Sequence, residues 1–409
     1  RNRVVITGVG VLAANGIGKD AFWSSLLAGE SGIGPITRCN VDNLSSQIAG
    51  EVKDLDVNRY TPFKIKAKRL SRNTQLAVSA SFLALKDANI KPESLNLDAP
   101  LSLSLGISMA GFDFIETEIR RIAKKGNQFM LPTVVGCIHI ATASSVADLT
   151  GLPCMINVLS NSCVGGVDAV AKTYADLRDG KAEIALAGGS DAPIETSLVS
   201  GFCAARMLCT DNDSPKNASR PFDQRRSLGV LAEGSCIMVL ETLEHALDRG
   251  ATPYAEVIGY GSASDTTLDA GSGIEPSMRN VLNNAGVDGS EVDFISAHAP
   301  SDFEIDRIEV EMIKRVFGQR AYHIPVSSIK GCTGNPLAAG GAMQIGAASL
   351  CVRQQKIPPT ANLTMKDPDC DLDIVTGSPR LSDINMALIN SHGIGRINSS
   401  MLLKRFRDS

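Results

Sequence analysis

A cysteine, two histidines, a lysine and two asparagines in this sequence stand near points where a strand-like run gives way to a turn. Cys163 lies in "NSCVGGVDAV" (161–170), between the run "CMINVLS" (154–160) and the helical periodicity of "GVDAVAKTYADLRDG" (166–180). A helix start stabilises an anion, so a thiol there is expected to lose its proton readily and act as a nucleophile. The competing reading is one more buried thiol among the ten cysteines. His298 ends "VDFISAH", Lys330 and Asn335 follow "HIPVSSI", and His392 and Asn398 lie in "INSHGIGRINSS". An imidazole moves a proton near neutral pH, whereas the Asn335 amide only donates and accepts hydrogen bonds. A purely structural role competes at each of these positions, but several polar strand ends in one alternating chain favour a shared site.

Other chemistries find no support. The five histidines never pair at short range and no H-E-x-x-H occurs, so no metal site is expected. The Gly-rich turns lack G-x-x-x-x-G-K-[ST], and "GVGVLAANG" matches a dinucleotide loop only loosely, so no bound cofactor is expected. With 40 basic against 44 acidic residues and a net charge of −4, the chain is not built for nucleic acid. Its densest basic run, "KIKAKRLSR" (64–72), leads into helical spacing and reads either as a solvated helix face or as a docking patch for an acidic partner. No apolar run approaches the ~20 residues of a membrane span. The chain opens directly into a strand-like run, which predicts no export leader. Cysteines without any C-x-x-C pair fit reduced, mostly buried thiols in a cytoplasmic protein.

The elements that must position these residues alternate. "RVVITGVGVL", "LSLSLGIS", "CMINVLS", "AEIALAGGSD" and "CIMVLE" read as strands, with helical stretches such as "NTQLAVSASFLALKDA" (73–88) between them. The pattern restarts near residue 250: "YAEVIGYGSASD" echoes "RVVITGVGVLAANG", and "VDFISAHAP", "HIPVSSIKG" and "INMALINSHGIG" supply later strands. The chain therefore reads as an α/β protein of two similar halves, 1–250 carrying Cys163 and 251–409 carrying the His, Lys and Asn segments.

On "NSCVGGVDAV", "AEIALAGGSDAPI", "ASRPFDQRRSLGVLAEGSCIMVLE", "SSIKGCTGN" and "NSHGIGRIN", almost the whole chain resembles the β-ketoacyl-ACP synthases of the type I/II branch. These are condensing enzymes of fatty acid and polyketide synthesis with the thiolase fold. The resemblance implies a five-layer α-β-α-β-α sandwich. It places Cys163 as the thioester-forming nucleophile, His298 as the first of two histidines and Lys330 as the supporting lysine. Glu233 takes the glutamate of the family's Gly-Glu-Gly turn, and His392 and Ile394, with Asn398 nearby, lie on the loop that gates the site. It also implies an acyl carrier protein as partner, with phosphopantetheine arriving on it, and a dimer, either of two identical chains or with a related ketosynthase subunit.

The departures matter as much. The family reads Thr-Gly-His where this chain has Thr333, Gly334 and Asn335, so the second histidine has become an amide. Gly-Thr-Ser-Thr after the first histidine, whose hydroxyls hold the phosphopantetheine arm, has become Ala299, Pro300, Ser301 and Asp302. The gating Phe-Gly-Phe-Gly-Gly has become His392, Gly393, Ile394, Gly395 and Arg396, and Arg-Asp-Gly-Phe has become Arg226, Ser227, Leu228 and Gly229. Two readings follow. One is an acyltransferase that loads Cys163 and condenses the acyl chain with malonyl-ACP through a Cys-His-Asn site, as in the related type III synthases. The other is a non-condensing acyltransferase or a chain-length-factor-like partner subunit, although such subunits typically lack the cysteine that this chain keeps.

Overall fold

A computed structural model describes residues 1–95, 100–126, 131–266 and 270–407. Ten strands build its main sheet: β1 (Val4–Ala13), β2 (Leu101–Gly106), β3 (Cys154–Leu159), β4 (Ile184–Asp191), β5 (Gly234–Thr242), β6 (Ala255–Ser264), β7 (Phe294–Ser296), β8 (Val326–Ser327), β9 (Met386–Gly393) and β10 (Ile397–Lys404). An eleventh, Gly16–Ile17, pairs only with β1. The hydrogen-bonded order is β8-β7-β9-β10-β6-β1-β5-β4-β2-β3.

Counted outward from the central β1/β6 pair, the order is first, fifth, fourth, second, third strand on both sides. Orientations repeat as well. β1/β5 and β5/β4 are antiparallel while β4/β2 and β2/β3 are parallel, and β6/β10, β10/β9, β9/β7 and β7/β8 follow the same pattern. The strands facing helices on both sides, such as β4 and β5, are buried along their whole length and read as continuous apolar and small-residue runs.

Helices fill three further layers. α1 (Arg72–Asp87) packs on β1 and β5 beside α2 (Ile140–Thr150), forming one outer layer. α3 (Gly165–Arg178) and α6 (Ala338–Gln354) lie against each other between the two sets of strands. α4 (Ile274–Ala285) covers β6 and β10 from the far side, and α5 (Phe303–Phe317) packs against α4. The result is the α-β-α-β-α sandwich. α6, rich in Ala and Gly, is buried almost end to end, as a helix enclosed on every side must be. Among the described residues, no helix is long and apolar enough to cross a membrane. All ten cysteines are unpaired.

The basic run departs from its expected form. Lys64, Lys66, Lys68 and Arg69 are exposed on a loop with one short 3-10 turn (Ala67–Arg69), not on a helix face. The helix starts only at Arg72, because Ser71 caps it by accepting the Thr74 amide. Arg72 turns inward to form a bidentate pair with buried Glu233, at 2.7 and 3.0 Å.

The middle layer depends on two glycines. A Cβ on Gly166 of α3 would lie 2.3 Å from the Ala338 carbonyl oxygen, and one on Gly189 of β4 would lie 2.4 Å from it. Gly166→Ala is therefore expected to lower stability by about 1–3 kcal/mol, the scale of overpacking, read as the shift in a urea midpoint. Gly201→Ala, in the helix Thr196–Ala204 with nothing within 4 Å of its Cβ position, should be neutral or stabilising. Equal losses in both variants would show that the crossing is not tightly constrained.

Candidate active site

Cys163 sits in a 3-10 turn, Ser162–Val164, that joins β3 to α3. Ser162 before it takes a left-handed φ of 54°, and its hydroxyl lies 3.8 Å from the Cys163 sulfur. The corresponding point of the other strand set, between β8 and α6, carries the short helix Lys330–Thr333 and then Asn335. Close packing of α3 on α6 brings the two points to one cavity of ≈ 270 Å³. Phe202, Leu208, Leu231 and Leu337 supply apolar wall, while Cys163, His298, Asn335 and His392 supply the chemistry.

His298 and Lys330 are 3% and 2% exposed, so their charges are settled by neighbours rather than by water. Lys330 Nζ lies 2.8 Å from His298 Nδ1 and 3.4 Å from Nε2. The shorter contact favours Nδ1 as the acceptor, with the ring proton on Nε2. Burial first, then the Lys330 cation and His392, hold His298 well below the usual imidazole range. Burial also lowers Lys330 to about 8, opposed by Cys163, Glu309 and Asp306. The backbone amides of His298 and Ala299 donate to the two oxygens of buried Glu309, which fixes the imidazole's place from behind.

The thiol does not behave as its helix-start position alone suggests. Burial pushes Cys163 up, and the Lys330 cation, the Ser162 hydroxyl and the Ile394 backbone amide pull it only part of the way back. At 3% exposure, loss of solvation outweighs the helix terminus. Loading an acyl group therefore requires something to take the thiol proton.

Asn335 has its backbone tied on both sides, donating to Val230 O and accepting from Ala232 N. Its Oδ1 is buried without a hydrogen-bond partner, so the Nδ2 group is the one available to the cavity. Pro336 follows, then Leu337 at φ 48°, ψ −122°, a strained conformation for a branched residue. It persists because the next amide, Ala338 N, donates to the Asp191 carboxylate at 2.8 Å. Asp191 also accepts from Ser108 and Met109, and burial raises it to about 6.

His392 and Asn398 are directly opposite on β9 and β10. The His392 ring lies edge-on to that of His298, 5.9 Å between centroids. Ile394 and Arg396 border the cavity beside them. Glu233 is not on the cavity: it is fully enclosed, binding Arg72 and the Val52 amide. Asp302, conspicuous in the sequence as an added carboxylate, caps α5 by accepting the Glu304 and Ile305 amides. Two of the rewritten segments touch, since a Cβ on Gly229 would lie 3.1 Å from the Pro300 carbonyl.

Asp191, Glu309 and Asp265 were not evident beforehand. Asp191 ends "AGGSD", a carboxylate at the end of a buried small-residue strand, which is a usable signal. Glu309 and Asp265 have none that stands out from an ordinary helix or turn.

Comparison with known proteins places the whole chain in one family. The family described as "Beta-ketoacyl synthase, N-terminal domain" matches residues 1–246, and "Beta-ketoacyl synthase, C-terminal domain" matches 254–364. The chain is 34% identical over 416 residues to 3-oxoacyl-[acyl-carrier-protein] synthase 2 of Synechocystis sp., covering 100% of this chain and 99% of that protein. It is 34% identical over 421 residues to the tetracenomycin polyketide synthase ketoacyl synthase alpha subunit of Streptomyces glaucescens, covering 100% and 98%. A solved type II PKS acyl-carrier protein in complex with its ketosynthase bound to the hexaketide superposes with a TM-score of 0.90 at 31% identity, covering 99% of this chain and 100% of that one.

The electrostatics set an expectation for the thiol. The alkylation rate of Cys163, followed by peptide mass spectrometry, should climb with a midpoint above the ~8.5 of an ordinary thiol. Lys330→Met removes a cation that favours the thiolate, so it should move that midpoint further up. A midpoint below 8 (roughly, for an activated thiol) in the parent, or a downward move in the variant, would contradict the arrangement.

Proposed function

We propose that this chain, which belongs to the beta-ketoacyl synthase family, takes an acyl group from an acyl carrier protein onto Cys163 and condenses it with malonyl-ACP through a Cys-His-Asn site. The observation that carries this reading is the shared cavity: a buried Cys163, His298 and the Asn335 amide border it together, with Lys330 bonded to His298 beside it. In loading, the Cys163 sulfur attacks the carrier thioester, a new C–S bond forms, and the carrier thiol leaves. In condensation, malonyl-ACP loses CO₂, the enolate attacks the acyl-Cys163 carbonyl, and the released thiolate regains a proton. His298 Nε2–H and Asn335 Nδ2–H are donors for the oxygen on which negative charge develops. No resident cofactor takes part; the phosphopantetheine arm comes and goes with the carrier.

The exposed loop cations Lys64, Lys66, Lys68 and Arg69 suit an acidic carrier. The outer edge of β3 is half-buried along its length and has no strand partner among the described residues, while Val134, Val135, Ile138 and Ile140 nearby in the chain are exposed. A second ketosynthase-fold subunit, identical or related, is the occupant that fits. The observation favouring the other reading, a non-condensing acyltransferase or partner subunit, is Pro300 on the cavity wall where the resembled family has an arm-holding hydroxyl.

Intact-protein mass spectrometry with acyl-ACP tests the first step: the parent should gain one acyl group and Cys163→Ala none. CO₂ release from malonyl-ACP then separates the two readings, since a non-condensing protein loads but releases none. In a condensing parent, Asn335→Ala should be slower on the order of 10²–10³, the scale of one lost oxyanion donor, and Asn335→Asp slower still. Parental rates in both variants would remove Asn335 from the chemistry. Lys66→Glu with Arg69→Glu should raise KM for acyl-ACP and spare a small acyl thioester; equal damage to both substrates would rule out docking at this loop.

A further inference from the structure

One hydrogen-bonded chain along the cavity wall fixes more than position. Asp265, 8% exposed, accepts the Gly271 amide on Oδ2 and the Gly273 amide on Oδ1, at 3.0 and 2.7 Å. Burial opposes its charge, but these amides and Asn398 hold it below the usual carboxylate range, so it is ionised and only accepts. Asn398, 0% exposed, donates its Nδ2 to Asp265 Oδ1 at 2.8 Å and to Ala263 O at 3.2 Å. Both acceptors lack a proton to give, so the Asn398 amide cannot flip, and its Oδ1 must accept. The partner of that oxygen is His392 Nδ1, at 2.7 Å.

We infer that Asp265 and Asn398 hold His392 with its proton on Nδ1 and present a bare Nε2 to the cavity, making His392 the proton acceptor for thioester exchange at Cys163. This deepens the loading step proposed above and rests on it. The two cavity imidazoles then carry opposite tautomers. His298 accepts from Lys330 on Nδ1 and offers N–H, whereas His392 donates to Asn398 on Nδ1 and offers a lone pair. The division follows from need. The Cys163 thiol is held protonated by burial. His298 is kept from taking a proton by burial and the adjoining cation. Asn335 cannot take one at all, and the two carboxylates on the cavity, Asp265 and Asp302, already accept from backbone amides. His392 borders the same cavity and is only partly buried.

The step balances without any further reactant. His392 Nε2 takes the Cys163 proton as the sulfur bonds to the acyl carbon. The bond from that carbon to the carrier sulfur breaks, and the departing thiolate takes the same proton from Nε2–H. Asp265 and Asn398 keep their protonation throughout; they are positioning residues.

The test begins on the resting full-length protein, without substrate. ¹⁵N NMR of ¹⁵N-histidine-labelled protein, assigned with His392→Gln, should show His392 protonated on Nδ1 and bare at Nε2, and His298 the reverse. Asp265→Asn, which can turn a donor toward Asn398, should mix the His392 tautomers without moving those of His298. A parent His392 protonated on Nε2 overturns the inference. Acyl loading from acyl-ACP, timed by intact-protein mass spectrometry, is expected to slow by on the order of 10²–10⁴ in His392→Gln, the range for a general base. His392→Phe, restoring the aromatic residue of the resembled family, should be equally slow; loading at the parental rate in either variant also overturns it. Failure of the parent to load at all would sink the loading reading itself, while the tautomers would still stand or fall by NMR.

Discussion

Two helix starts reach one cavity only because hydrogen atoms, not side chains, separate their backbones at the crossing. Gly166 and Gly189 both lie beneath the Ala338 carbonyl, at distances no Cβ tolerates. The Asp191 carboxylate, at the end of β4, binds the Ala338 amide and so ties the start of α6 to the first strand set. Everything chemical hangs on that contact. It sets how far Asn335 stands from Cys163, and it keeps Leu337 in a backbone conformation that costs on the order of 1–3 kcal/mol when unsupported.

The polarity of the site follows from burial as much as from residue type. A thiol at a helix start would be acidic in water, yet enclosure reverses the sign of its shift. The same enclosure brings Lys330 down to about 8 and keeps His298 neutral, so three buried groups side by side each resist charge. Glu309 and Asp306, both from one face of α5, oppose that fall in Lys330, but burial raises them too, Asp306 to about 7, so the negative field on Lys330 is weakened. The site residues are therefore set by a helix that borders the cavity chiefly through its capping end, Asp302 and Ile305.

Strands and helices were legible in the sequence because small and β-branched runs alternate with helical spacing, and Cys163, His298, Lys330 and Asn335 stood out because each is polar just beyond a strand. The helical continuation was not placed correctly at the basic run: capping by Ser71 delays the helix to Arg72, and the pull of buried Glu233 takes Arg72 out of the surface. Partners across long separations were invisible. The Asp191 to Ala338 bond spans 147 residues, and the Asn398 to Asp265 bond spans 133. Nor does any local pattern reveal that Gly229 and Pro300, two separate departures from the family, meet face to face. Substitutions in direct contact are the ones whose effects couple, so the two are best understood as a single change in the cavity wall.

The repeated strand order, first-fifth-fourth-second-third on both sides of the β1/β6 pair, has a consequence of its own. Cys163 and the Lys330–Asn335 turn occupy equivalent points, each after the third strand and before the central helix of its set. In a pair of identical separate chains, any residue placed at one such point appears at the other, because the interface copies itself. Covalent fusion lifts that restriction. One point can keep a nucleophile while its counterpart keeps a hydrogen-bond donor, and either can be rewritten without dragging the other along. Asn335, where the resembled family has a histidine, fits that pattern: it occupies one arm of a pseudo-symmetric centre whose other arm carries the Cys163 sulfur.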